Sequence, residues 1–317
     1  MKPAGAPFPP QDLDGTSAAR IRAVSYNLGA YRKTGARTRE RQHELLRLLR
    51  ADVLCLQEIY ARGADLAELD RLVAAIDGAL AMNAFAVPAV HSDCHLAILW
   101  RPTYRAISTR SYDLLMWHGL GIVRLDIGAP SPLTVAVTHL SPWNPAKQLD
   151  DTYTLTGKLP LSQPVLLGAD WNSFGADPDY DRDPDWAALP PEWVERHVRW
   201  NDDPGAPREA DRRPAQLMRR SGFHDAAPTL GIAWQATGGH RSMWSRREDV
   251  FWTTRPAALR DYQVINTETF QNLSGLSNDR LHTRGLDPQQ LSDHLPVLIE
   301  LDPTALTTPS DEEEPDA

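Results

Sequence analysis

The sequence predicts an α/β fold in one domain, on three observations. A strand, helix, strand unit occupies residues 21–60. Short apolar runs recur along the chain, and several end in polar residues. Neither an internal repeat nor a glycine-rich linker interrupts it, so residues 17–302 read as a single unit. In order, "IRAVSYNLG" and "ADVLCLQEIY" are apolar enough for buried strands. Between them "RTRERQHELLRLLR" carries leucines at helical spacing on a charged background. If the two strands lie parallel and close together, Asn27 and Glu58 come to the same sheet edge. "LAELDRLVAAIDGAL" is a second amphipathic helix, and "HLAILWR", "LGIVRLDIG" and "LTVAVTHLS" are further strands, the last carrying His139 at its end.

"VLLGADWNSF" runs from a buried apolar strand into a small-residue turn and then presents Asp170 and Asn172 two positions apart. Taken alone, that pair reads as an ordinary turn rather than a ligand site. Residues 175–213 follow, rich in Asp, Pro and Trp, too polar for a core and long for a loop. Trp186, Trp193 and Trp200 there suit either a lid over substrate or pins that hold the loop to the domain. "RRPAQLMRRSGFHDA" is a helix stopping at Gly222, and "REDVFWTT", "DYQVINTE" and "LPVLIEL" are closing strands.

A net charge of −9 provides no basic footprint for tracking a nucleic-acid backbone, so nucleic acid is a partner that the charge does not support. Part of the acidity lies in residues 303–317, expected to be a disordered tail. Residues 1–16 are expected to be a disordered, proline-rich leader without the apolar run of a secretory signal. No apolar run reaches membrane-spanning length, and a cytoplasmic monomer without membrane contact is expected. The two cysteines, Cys55 and Cys94, suggest neither a disulfide framework nor a zinc site.

Strand ends thus carry Asn27, Glu58, His139, Asp170 with Asn172, Asp249, and Asp293 with His294. Oxygen ligands without thiolate suit magnesium or manganese, and two histidines can supply protons or stabilise an oxyanion. Taken in order, "SYNL", "LQE", "THL", "GADWN", "REDVFW" and "SDHLPV" resemble the signature segments of the DNase I-like endonuclease/exonuclease/phosphatase superfamily, across residues 21–301. The resemblance implies a four-layer α/β sandwich, with two mixed β-sheets packed face to face and helices outside. It also implies hydrolysis of phosphate esters with a divalent metal, usually magnesium.

Carried onto this sequence, the resemblance makes Glu58 the main metal carboxylate, with Asn27 beside it and Asp293 a further carboxylate on the metal side. Asp170 would deprotonate the attacking water, Asn172 would hold that water or a phosphoryl oxygen, and His294, held by Asp249, would sit on the phosphate. His139 matches the histidine of the DNase I and phosphatase branches, where abasic-site nucleases usually carry asparagine, and Asp93 and His95 are candidate partners for it. Glu248 departs from the pattern, since an apolar residue usually separates the arginine from Asp249; Ala169 and Trp171 depart as well. Trp117, Trp143 and Trp171 suit either stacking on a planar group or packing. His43, His91, His118, His197, His224, His240 and His282 read as surface or packing residues, and the arginines at 212, 213, 219, 220, 246 and 247 as solvated.

The function expected is a magnesium-dependent phosphohydrolase acting on a phosphorylated substrate by attack of water, as a nuclease or as a small-molecule phosphatase or phosphodiesterase. In the second case the tryptophan-rich segment would supply specificity. A pseudoenzyme that binds phosphoryl groups without turnover is the third alternative.

Overall fold

A computed structural model describes residues 20–308 except 32, 63–65, 204 and 243; the expected leader and most of the expected tail lie outside the described residues. The strands are β1 (Ile21–Asn27), β2 (Val53–Tyr60), β3 (Asn83–Val87), β4 (Cys94–Trp100), β5 (Arg105–Ser111), β6 (Leu120–Asp126), β7 (Leu133–His139), β8 (Val165–Asp170), β9 (His224–Asp225), β10 (Asp249–Thr253), β11 (Leu259–Val264) and β12 (Val297–Leu301). The helices are α1 (Ala36–Leu49), α2 (Leu66–Leu80), α3 (Pro145–Lys158), α4 (Pro191–His197), α5 (Arg213–Arg220), α6 (Ala226–Thr229), α7 (Thr267–Ser274), α8 (Asn278–Arg284) and α9 (Pro288–Leu291).

Two six-stranded mixed sheets result, ordered β11-β12-β1-β2-β4-β3 and β5-β6-β7-β8-β10-β9. The expected parallel pairing of β1 with β2 is present, with Asn27 opposite Gln57. A second parallel pair, β7 with β8, sets His139 opposite Asp170. The facing sheets enclose a core that includes Ala23, Val53, Cys55, Ile98, Val135, Val137, Leu166 and Phe251. On the outer face of the first sheet, Val24, Tyr26, Leu54 and Leu56 pack against Leu45, Leu46 and Leu49 of α1 and Phe270 of α7. On the outer face of the second, Leu167, Ala169 and Trp252 pack against Leu155 of α3 and Met218 of α5. Alternate residues of one strand feed different layers because side chains in a strand point to opposite faces. The four-layer arrangement follows.

The sheets approach closely near Gly168 of β8, where an added Cβ would lie 2.7 Å from the Cβ of Cys55. Glycine permits this approach just below Asp170. Three edge strands are absent from the sequence reading: β3 and β9, both short, and β5, which is almost wholly exposed and so carries no buried apolar alternation. At the C-terminal end, ordered packing continues past residue 302: Pro303–Ala305 forms a turn of 3₁₀ helix, and Leu306 is buried in the core between the sheets. Both cysteines are free thiols. No helix among the described residues is long and apolar enough to cross a membrane.

Candidate active site

Three neighbouring strands of one sheet end in a row of functional side chains. β8 ends at Asp170, flanked on one side by His139 of the parallel β7 and on the other by Asp249 of the antiparallel β10. The other sheet contributes Asn27 from the end of β1, Glu58 from β2, and His294 from the segment leading into β12. The two sets meet across the gap between the sheets. Asn27 Nδ2 donates to Asp170 Oδ2 at 2.8 Å, and His294 Nδ1 donates to Asp249 Oδ2 at 2.9 Å. Asp170 Oδ2 also lies 3.2 Å from His139 Nε2 and 3.8 Å from His294 Nε2. All of these side chains except Glu58 are buried.

The backbone bends to achieve this. Glu58 sits at φ 57° where the β2–β4 register slips between Leu56 and Ile59, a bulge that re-aims its carboxylate. Its Oε2 accepts from the Ala30 N–H at 2.8 Å. Asn172 is also left-handed, at φ 45°, a conformation asparagine tolerates better than most residues. Its N–H donates to Asp170 Oδ1, and its Nδ2 donates to the Leu140 carbonyl.

Electrostatics divide the two histidines. For His294, burial opposes the charged ring, but the carboxylates of Asp249 and Asp170 outweigh it and hold the pKa well above that of an ordinary imidazole. Burial in turn pushes the Asp249 carboxyl up to about 7. His139 has Asp170 at its Nε2 but no carboxylate on its Nδ1 side. Burial and the His294 charge depress it to about 3, which keeps it neutral, and its Nδ1 is buried without a hydrogen-bond partner.

Neither expected partner of His139 reaches it. Asp93 accepts from the Tyr60 hydroxyl, and His95 is held between the Ala89 N–H and the Ala61 carbonyl. His118 takes that place, against the expectation of a surface or packing residue. Its ring stacks on His139 with centroids 4.1 Å apart and planes within 11°, and its Nδ1 is hydrogen-bonded to Ser92 Oγ. No spacing in the sequence signals this contact, because residue 118 lies in a loop.

The donor set fits a divalent cation. Asp170, Asp249 and His294 bring candidate ligand atoms within 4.8 Å of one another; with the His294 ring charged, the carboxylate oxygens, among them the buried and unpartnered Asp249 Oδ1, are the donors a cation would use. Burial raises the Glu58 pKa, and the carboxylates of Asp170 and Asp293 add to it, as expected of acids gathered without enough positive charge. Among the described residues Arg246 is the one arginine lining the cleft; its Nε and one terminal nitrogen donate to Glu248 and the other terminal nitrogen to the Trp244 carbonyl. Asp293 itself is exposed, accepts from Ser292 Oγ, and lies outside both the cleft lining and the three-residue cluster.

The cleft encloses about 500 Å³ and has an aromatic wall in which His91, Trp117 and Trp143 lean on one another. Trp171, by contrast, is buried against Trp252 in the outer core and cannot reach a ligand. Two of the arginines read as solvated are also buried. Arg247 pairs with Asp225 at 2.6 Å, and Arg212 bonds Asp183 and the carbonyls of Gly175 and Asp181.

A model of the endonuclease/exonuclease/phosphatase family matches residues 24–294, spanning every strand-end residue described above. The chain belongs to that family. No curated protein matches it in sequence. Among solved structures, the fold resembles an AP endonuclease from Archaeoglobus fulgidus (TM-score 0.58, 14% identity, 89% of this chain and 99% of the other). It also resembles D. rerio TDP2 complexed with single-strand DNA product (TM-score 0.54, 14% identity, 89% and 99%). A third likeness is the human nocturnin catalytic domain with bound sulfate (TM-score 0.51, 15% identity, 89% and 93%). At these identities the likeness establishes the DNase I-like fold. Family membership makes the chain a phosphoester-hydrolase type of protein.

Proposed function

We propose that the chain is a magnesium-dependent phosphohydrolase in which water attacks a phosphate ester held between the two sheets. The observation that carries this reading is the convergence on Asp170 Oδ2 of Asn27, His139 and the Asp249-backed His294 in one cleft. Asp170, oriented by the Asn27 carboxamide and the Asn172 N–H, is the base that accepts a proton from the attacking water. As the new P–O bond forms and the ester P–O bond breaks, charge builds on the nonbridging oxygens. His294 is held charged and aimed into the cleft, so it donates to one of them; His139 provides a neutral ring nitrogen on the other side. Glu58, with Asn27 and Asp170 beside it, would hold the cation. When bound, the metal supplies Lewis-acid polarisation of the phosphoryl group and offsets charge on the departing oxygen. Manganese suits the same oxygen donors.

For the substrate, a small phosphate ester is favoured over a nucleic-acid backbone. Glu58, Asp93, Asp170 and Glu248 line the cleft against one arginine already paired, a poor surface for successive phosphates. The nuclease reading draws on the names of the structural neighbours, one of which holds a single-strand DNA product. The decisive experiment is hydrolysis of a chromogenic phosphodiester in chelator, with magnesium returned. Activity should vanish and reappear, and Asp170→Asn should abolish it. Full turnover in excess chelator, or in that variant, would refute the mechanism.

A further inference from the structure

A second cavity, of about 630 Å³, lies beside the catalytic cleft, and Arg246 and Glu248 line both. Its volume falls in the range that holds small organic ligands. The segment 175–213 contributes Tyr180 and His197, and the stretch from 228 to 248 contributes Trp234 and Trp244. The tryptophans expected to form a lid do not line it. Trp186 packs with Phe174 and Ala210 in a small core of its own, Trp193 lies under the Arg246 guanidinium, and Trp200 is 83% exposed with its Nε1 on Asp202.

We infer that this chamber is a second substrate pocket, which takes the planar, hydrogen-bonding heterocycle of a nucleoside phosphate ester whose phosphoryl group lies among Asp170, His139 and His294. The inference rests on the phosphohydrolase reading for the position of the phosphate, and on three features of the chamber for the heterocycle.

First, its aromatic faces are held in place before any ligand arrives. Trp234 is 41% exposed, yet its Nε1–H donates to Asp181 Oδ1 at 2.8 Å. Asp181 is itself buried, accepts from the Gly175 N–H at 2.7 Å and lies 3.9 Å from the buried Arg247. A carboxylate fixed by a buried arginine and a backbone amide therefore anchors a solvent-facing indole. Trp244 stacks on Phe174 at 5.9 Å, with the edges of Trp186, Trp193 and His197 against it. Rigid π faces bind flat groups at low entropic cost.

Second, the chamber holds an unspent hydrogen-bonding atom. His197 is buried and lines the cavity, and its Nδ1 has no partner. Burial lowers its pKa to about 4, so the ring is neutral and can meet the donor or acceptor edge of a heterocycle. A buried polar atom left unpaired is costly, and a turn of the ring toward the chamber would let a ligand edge satisfy it. An aliphatic chain would leave it unsatisfied.

Third, Arg246 stands at the seam. Its guanidinium lies 4.4 Å from the Trp193 ring centroid and 5.2 Å from that of Trp244, while two of its hydrogen bonds go to Glu248 and a third to the Trp244 carbonyl. Glu248, the charged residue in an ordinarily apolar position, thus ties the strand of Asp249 to the aromatic chamber. A ligand crossing this seam joins the two cavities.

The test compares 5′-AMP with ribose 5-phosphate, which has the same phosphate and sugar without the base, by calorimetry on the full chain in chelator. AMP should bind about tenfold tighter or more, as stacking of one base implies. Trp234→Ala and His197→Phe should each shrink that ratio at least threefold or so, while Trp234→Phe, which keeps a flat face, retains most of it. Equal affinities in the wild type, or an unchanged ratio in both variants with circular dichroism intact, would overturn the inference. Magnesium-dependent cleavage of thymidine 5′-(p-nitrophenyl phosphate) separates the two readings. Cleavage without base discrimination sinks the pocket alone, and discrimination without cleavage sinks the hydrolase reading and leaves the pocket standing.

Discussion

Replacing Asp249 by asparagine tests whether His294 works as half of a pair. Its ring faces Asp249 at 2.9 Å and Asp170 at 3.8 Å. At an effective dielectric of about 20, unit charges at those separations attract by roughly 6 and 4 kcal/mol. Desolvation of the buried groups cancels most of this, leaving about 1.5–3 kcal/mol for a charge-assisted hydrogen bond. At 1.36 kcal/mol per tenfold, that corresponds to a loss of about 10- to 150-fold in kcat for Asp249→Asn. His294→Ala should lose on the order of 10²-fold or more, and the double variant should lose little beyond the larger single effect. The assay is steady-state hydrolysis of a chromogenic phosphodiester with magnesium across pH. Wild-type activity should persist on the alkaline side, because the two carboxylates outweigh burial and keep the ring protonated above its ordinary range. With one carboxylate gone, the alkaline limb of Asp249→Asn should move to lower pH. Losses that multiply to about 10⁴-fold, with an unmoved limb, would show that the two residues act independently and refute the argument.

Other consequences can be measured separately. Glu58→Gln keeps the shape of the side chain but removes its charge, so the magnesium concentration for half-activity should rise severalfold; an unchanged titration would remove Glu58 from the metal site. Gly168→Ala places a methyl against Cys55 between the sheets and should cost about 1–3 kcal/mol, read as a lower Tm, whereas Gly168→Ala with Tm intact would mean the sheets part without penalty. Burial depresses His118 to about 2 and His139 to about 3, so below pH 6.5 the unfolded chain binds protons that the folded chain refuses. Stability should therefore fall with acid from pH 6.5, by up to about 1.4 kcal/mol per pH unit per histidine, and less steeply in His118→Phe. Parallel Tm curves for wild type and variant between pH 7.5 and pH 5 would contradict this.

The sequence alone determined the parts whose signal is local. Runs such as "VLLGAD" and "LTVAVTH" are apolar because both faces of their strands are covered, and a polar residue at the end of such a run has nowhere to project but the loop layer. Each such residue by itself also suits a turn or a cap, and it is the order of the six motif segments that makes Asn27, Glu58, His139, Asp170, Asn172, Asp249 and His294 legible in the sequence; the parallel pairing of β1 and β2 is legible there as well. Edge strand β5 was not legible, because exposure removes the apolar alternation on which such a reading depends. Only the tertiary structure decided what lies behind and beside those residues. His118 comes to His139 through a loop, Trp171 turns into the outer core, and Asp293 remains outside the cluster that its neighbour His294 joins. Buried charge was the least legible of all: Arg247, read as solvated, is enclosed between Asp225 and Asp181, residues 22 and 66 positions away in the chain. Partners so distant leave no periodic trace, since what selects them is the cost of an unpaired charge once folding has removed the water around it. The chamber beside the active site arises in the same way, from chain segments that have no pattern in common and are brought together by the folded domain.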